Sequence, residues 1–205
     1  MSQITSGFRS ILSKPFFYDL FQFLFGADKW RKNFINKFVD PKSKDRILDI
    51  GCGTARILNY MPLSICYYGF DFDHKYINAA KKRFSSRGSF ICANVKDAKF
   101  NNLKSFDIVI AIGVLHHLNN DEVKSLIKLA HKKLKPGGRL ITADPCLIKN
   151  QNPIARFLIK KDRGQNVRGY KGYSNLTKNL FYDVKGTLLN QTWMPYTHWI
   201  MVCKK

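Results

Sequence analysis

Acid is what this chain has little of. Of 205 residues only 14 are Asp or Glu, against 35 Lys and Arg, and Glu122 is the one glutamate. The resulting net charge of +21 attracts anions, whether nucleic acid, acidic lipid headgroups or phosphorylated small molecules. The cations are scattered rather than blocked, so a general lysine bias accounts for them equally well. Cysteine is sparse too. Cys52, Cys66, Cys92, Cys146 and Cys203 are odd in number, widely spaced and form no C-x-x-C pair. That argues against a disulfide framework and a cysteine-rich zinc site, and no metal is expected. Buried, inert thiols in a reducing, cytoplasmic setting fit this pattern. The longest apolar run, Phe106 to Leu118, contains Asp107 and two histidines. It falls short of the roughly 20 apolar residues that span a bilayer. No basic start, apolar run and small-residue cleavage site adjoin Met1, so no signal peptide is expected.

What is present is an apolar fraction of 45%, enough for one well-buried α/β domain. Residues 1–45 read as a helical cap. A dense aromatic run, Phe16 to Phe25, follows Pro15, and Trp30, Phe34 and Phe38 recur at helical spacing before Pro41. The alternative is a peripheral membrane contact through residues 1–40, with Arg9, Lys14, Lys29, Arg31 and Lys32 as its polar face. Residues 46–205 form the main domain. Strands are predicted at 46–50, 66–71, 89–93, 106–112 and 139–144, alternating with helices at 74–84 and from Asp121 to Leu134. A short helix ending near Pro62 follows the first strand. This rhythm means a doubly wound, mostly parallel α/β sheet. Residues 146–180 break it with a basic insertion, after which late strands are predicted near 181–189 and 197–203.

Leu48-Asp-Ile-Gly-Cys-Gly-Thr54 carries the strongest chemical signal. A buried strand runs into a glycine turn, where a ligand can approach the backbone closely, and then into a helix start with free N–H groups. Asp49 precedes the turn. Asp71 ends the next strand, where an acid can accept both ribose hydroxyls of a nucleoside. Arg56 stands where a dinucleotide fingerprint has its third glycine, so a nucleoside without phosphates suits the turn better than a pyrophosphate.

From about Arg46 to Pro145 the sequence resembles the class I S-adenosylmethionine-dependent methyltransferases. Four segments carry the likeness in order: the glycine turn, Gly69-Phe-Asp-Phe-Asp73, Phe106 to Leu118, and Leu134-Lys-Pro-Gly-Gly-Arg-Leu-Ile141. The resemblance implies a Rossmann-like, seven-stranded sheet ending in an antiparallel hairpin. It also implies S-adenosyl-L-methionine as cofactor and S-adenosyl-L-homocysteine as product. Gly51, Cys52 and Gly53 would pass under the methionine part, and Asp49 would help hold its amino group. Asp71, with Phe72 beside it in the acidic ribose loop, would bind the ribose hydroxyls, Asn94 and Val95 would meet the adenine, and Ile112 and Gly113 the amino acid end. Asn94 departs from the commoner Asp and can accept the adenine hydrogen bond only without charge.

Methyl transfer needs alignment above all, and a base only when the nucleophile must lose a proton. The resemblance to small-molecule O-methyltransferases makes His116, His117 and Asp144 the candidate catalytic residues. The basic segment after residue 162 and the start of the last strand offer Arg163, Asn166, Arg168 and Tyr196 as substrate-binding residues, with paired arginines suited to an anionic acceptor. The expected function is methyl transfer to a small molecule, O-methylation being favoured. An RNA methyltransferase and a membrane-associated or non-catalytic cofactor-binding protein are the alternatives.

Overall fold

A computed structural model of the protein describes residues 26–94, 103–162, 164–190 and 196–205. The aromatic run at 16–25, Val95 and Arg163 lie outside the described residues. The sheet has seven strands in the order β3-β2-β1-β4-β5-β7-β6. They are β1 (Arg46–Ile50), β2 (Cys66–Asp71), β3 (Gly88–Cys92), β4 (Phe106–Ile112), β5 (Leu134–Pro145), β6 (Asp183–Asn190) and β7 (Thr197–Lys204). β1 to β5 pair in parallel, and β7 runs antiparallel to both β5 and β6. The chain moves outward from β1 to β3, then returns to start β4 on β1's other side. The carboxyl ends of β1 and β4 therefore splay helices apart and leave a crevice.

The apolar runs in the central strands reflect burial on both faces. Leu48, Ile50, Val109 and Ala111 belong to one core cluster, and Ile47, Ile108 and Ile110 to the other. Successive side chains on a strand point oppositely, so both faces must be apolar. One face is covered by α1 (Ala27–Phe34) and α2 (His74–Phe84), through Trp30, Phe34, Ile77 and Ala80. The other is covered by α3 (Asn120–Lys133), through Val123, Leu126, Ile127 and Ala130. Asn119 and Glu122 cap α3 reciprocally: Asn119 Oδ1 accepts from the Glu122 amide at 2.9 Å and Glu122 accepts from the Asn119 amide at 3.0 Å.

Residues 146–180 hold two short helices, α4 (Pro153–Lys160) and α5 (Tyr170–Thr177). Tyr173 fixes α5 to the sheet by donating from its hydroxyl to the Pro145 carbonyl at 3.0 Å. Three expectations shift. The helix starting at Ala27 continues into a π-turn, Ile35–Val39, ended by Asp40 in the left-handed region at φ 39°. The helix after β1 is a single 3₁₀ segment, Arg56–Tyr60, because Pro62 stops it after one turn or so. β5 begins at Leu134 instead of 139: the Gly137 amide donates to the Lys205 carbonyl and the Lys205 amide to Gly138, so the glycine turn is drawn into the sheet edge.

Candidate active site

The glycine turn sits where β1 meets the crevice. Gly51 has φ 77°, and a Cβ there would lie 2.5 Å from the Val114 side chain. Only glycine satisfies both demands. Gly53, at φ 54°, has nothing within 4 Å of a built Cβ, so its crevice side is open space. The Gly51 and Cys52 amides donate to the Phe70 carbonyl at 2.7 and 2.9 Å, locking the turn to β2. Burial pushes the Cys52 thiol well above its usual range, which makes it an inert wall.

Asp71 closes this corner. Its Oδ2 accepts from the Gly53 amide at 3.0 Å and its Oδ1 from the Asp73 amide at 2.9 Å. Burial raises its pKa and these amides oppose the rise. A carboxylate offers about four acceptor sites, so each oxygen retains capacity for a hydroxyl. Asp49 lies deeper and accepts from the buried Tyr67 hydroxyl at 2.5 Å. Burial lifts the Asp49 carboxyl to about 7, the Tyr67 bond opposing and Asp71 adding to the rise.

A cavity of about 90 Å³ opens here, lined by Asp49, Gly51, Cys52, Gly53, Thr54, Arg56, Ile57 and Ile112 together with Trp30 and Arg31 from α1. Phe72, 46% exposed, and Asn94, also exposed, sit farther along the same edge beyond β2 and β3. Gly113 follows β4 at φ 66°, its amide bonded to Ala143 at 2.8 Å. A larger hollow of about 500 Å³ between Lys32, Asn36, Asp40 and Asn59–Pro62 touches none of the motif residues. Trp30 and Arg31 were visible in the sequence only as part of a helical cap. Their place over the glycine turn depends on long-range packing.

His116 corrects an expectation. Its Nδ1 lies 2.9 Å from Asp144 Oδ1 and its Nε2 3.2 Å from Asp162 Oδ1, while its amide also donates to Asp144 Oδ1 at 3.1 Å. Burial alone would lower its pKa, yet the two carboxylates lift it to about 9. An imidazolium held at both nitrogens has no lone pair for an incoming proton, so His116 is not placed as a base, and Asp144 is its anchor. Burial would raise the Asp162 carboxyl, but His116, the Tyr196 hydroxyl at 2.6 Å and the Gly164 amide at 2.8 Å hold it well below the usual range. Asn166 joins this tie by its amide, bonded to the His116 carbonyl at 2.9 Å.

Arg168 is the second correction. It donates to the Leu115, Asn166 and Leu118 carbonyls and twice to Asn120 Oδ1, at 2.8–3.1 Å. All five guanidinium donors thus meet uncharged oxygens, and no open fork faces an anion. His117 is half-buried, its ring centroid 4.0 Å from that of His116. His116, His117 and Asp162 have donor atoms within 4.8 Å of one another, the spacing of a metal set among the described residues, but the direct His116–Asp162 bond already joins two of them. Burial and the His116 charge push His198, beside Trp30 and Tyr196, down to about 4.

Comparison with known proteins agrees with this geometry. Residues 48–142 match the methyltransferase domain family. Phosphoethanolamine N-methyltransferase 1 of Triticum aestivum is 26% identical over 165 residues, 78% of this chain and 32% of that protein. The chain spans about a third of the length of the curated relatives it matches first. Other relatives are named for O- or C-methyl transfer. A SAM-dependent methyltransferase from Archaeoglobus fulgidus superposes with a TM-score of 0.74 at 17% identity, covering 92% of this chain and 99% of that one. The N-methyltransferase NodS from Bradyrhizobium japonicum, in complex with S-adenosyl-L-homocysteine, superposes at 0.65 and 15% identity over 88% and 87% of the two chains. The sheet order is that of the S-adenosylmethionine-dependent methyltransferases it superposes on, and the glycine turn opens the segment that matches the methyltransferase domain family.

Proposed function

We propose that this chain transfers the methyl group of S-adenosylmethionine to an oxygen of a small-molecule acceptor held over the carboxyl ends of β4 and β5. The observation that carries the cofactor site is Asp71: a buried carboxylate, oriented by the Gly53 and Asp73 amides, beside an open glycine turn. Both oxygens can take one ribose hydroxyl each. Gly51, Cys52, Gly53 and Ile112 would line the methionine part, Phe72 and Asn94 the nucleoside. The cavity of about 90 Å³ is below the roughly 300–1,000 Å³ of whole-ligand sites, which suits it to the amino acid end, with the nucleoside on the open edge. When bound, the cofactor supplies an electrophilic methyl on a sulfonium. The chain's own work is to orient the acceptor and exclude water.

With both nitrogens of His116 engaged, the acceptor's proton would pass to His117. The acceptor pocket is framed by Tyr196 and the tied segment from Asp162 to Arg168. The anionic acceptor loses support, because Arg168 is engaged elsewhere. Asp71→Ala should weaken S-adenosylhomocysteine binding by about 1–3 kcal/mol by leaving two hydroxyls without an acceptor. Unchanged affinity in calorimetry would remove Asp71 from the site. The acceptor is then sought by incubating metabolite extracts with isotope-labelled cofactor and identifying products by mass spectrometry. On that acceptor, His117→Ala should slow single turnover by about 10²-fold or more with cofactor affinity retained. An unchanged rate would exclude His117 as base.

A further inference from the structure

α4 is apolar on two sides, and the core uses only one of them. Ala155 and Ile159, one turn apart, are buried and face inward. Ile154 and Phe157 are 60% and 59% exposed. With the half-buried Leu158 and with Lys161 they recur at i, i+3, i+4 and i+7, the spacing of a single helix face. The helix does not need this outward stripe to hold its place. Asn152 Oδ1 accepts from the Ile154 and Ala155 amides at 2.9 and 3.2 Å. Gln151 ties the preceding loop down by donating to the Cys146 carbonyl at 2.9 Å. A helix of eight residues is marginal in water on its own, so the cap and the buried face keep the stripe formed and presented outward.

Charge decides what this stripe fits. Residues 147–161 contain Lys149, Arg156, Lys160 and Lys161 and no acid. Arg156 and Lys160 are exposed and flank the stripe. Lys161 stands within it, its Nζ 5.9 Å from the centroid of the Phe157 ring. A protein partner closing over the stripe would have to bury that ammonium, and lysine is depleted at such interfaces. In a lipid headgroup layer the same side chain lays its stem along the apolar residues and reaches an anionic phosphate with its tip. We propose that α4 docks this protein on an anionic membrane surface, Ile154 and Phe157 entering the boundary between headgroups and acyl chains while Arg156, Lys160 and Lys161 meet the phosphates. The docked helix leads directly into Asp162, 3.2 Å from His116 Nε2, and so turns the carboxyl edge of the sheet toward the headgroups. The docking itself does not depend on the acceptor or cofactor reading above.

The test is co-sedimentation of the full chain with vesicles of phosphatidylcholine alone and of phosphatidylcholine mixed with phosphatidylserine. Wild type should bind the mixed vesicles and largely ignore the neutral ones. Ile154→Gln with Phe157→Gln, and separately Lys160→Gln with Lys161→Gln, should each lower the partition coefficient by about tenfold or more. All four side chains are exposed, and thermal melting checks that the variants fold. Leu63→Gln is the control: this residue is 81% exposed and lies ahead of β2, at the amino edge of the sheet, so binding should not change. Variants of α4 that bind like wild type would place any membrane contact elsewhere in the chain and overturn the proposal. Wild type that binds no vesicle would overturn it too. Should the same substitutions instead release a labelled RNA, or split a dimer seen in sedimentation velocity, the stripe would belong to nucleic acid or to a second copy of the chain.

Discussion

Asp49 combines two properties that oppose each other. Burial lifts its carboxyl to about 7, Asp71 adding to the rise and the Tyr67 bond opposing it, yet a ligand ammonium needs it ionised. Cofactor binding should therefore weaken as pH falls through about 7, and near that pH it should release a proton from Asp49. Calorimetry in two buffers of different ionisation enthalpy measures that proton directly. Asp49→Asn should abolish the release, and a wild-type protein that binds without it would exclude Asp49 as the ammonium partner. Asp49 and Asp71 were legible in the sequence because their positions are local to strand ends. The lifted titration of Asp49 was not, since it arises from burial under elements distant in sequence, with Asp71 adding to the rise and the Tyr67 hydroxyl, 18 positions away, opposing it.

At the scale of elements, the tie around His116 joins the end of β5, the loop after β4 and the segment after α4. His116 holds its proton up to about 9, against about 6.5 for an exposed imidazole. Its stabilisation is complete below about 6.5 and disappears as pH rises through 9. Asp162 is held low, so its contribution is present above the ordinary carboxylate range and lost as pH falls below it. The Tm difference between wild type and Asp162→Asn should therefore be widest between about 4 and 6.5 and shrink toward pH 9. A constant difference would mean that the ion pair adds no stability. Arg168→Lys should lower stability by about 1–3 kcal/mol, because one ammonium cannot reach the acceptors a planar fork serves. A raised KM at unchanged Tm would instead restore Arg168 as an acceptor-binding residue. The expectation of a histidine base followed from the resemblance of the segment after β4 to small-molecule O-methyltransferases. Asp162 lies 46 positions beyond His116, and only the closure of the loop after α4 brings the two together.

For the whole molecule, the mostly parallel sheet and the two-faced burial of its central strands were readable because such a sheet leaves continuous apolar runs and alternates with helices. The start of β5 was not, because Gly137 and Gly138 take their partner from the last residue of the chain, Lys205. Charge is the remaining global feature. Four of the 14 acids, Asp49, Asp71, Asp144 and Asp162, gather at or behind the crevice, so the excess of +21 lies mostly on the rest of the surface. Fields from those surface cations fade over about 10 Å at 0.1 M salt, whereas contacts inside the crevice are poorly screened. S-Adenosylhomocysteine affinity should therefore change little between about 50 and 200 mM salt, while retention on a polyanion such as heparin should fall steeply across that range. Calorimetry and heparin chromatography over one salt series make the comparison. A cofactor affinity that fell as steeply as heparin retention would show that the long-range field, and not the local groups around the glycine turn, holds the ligand.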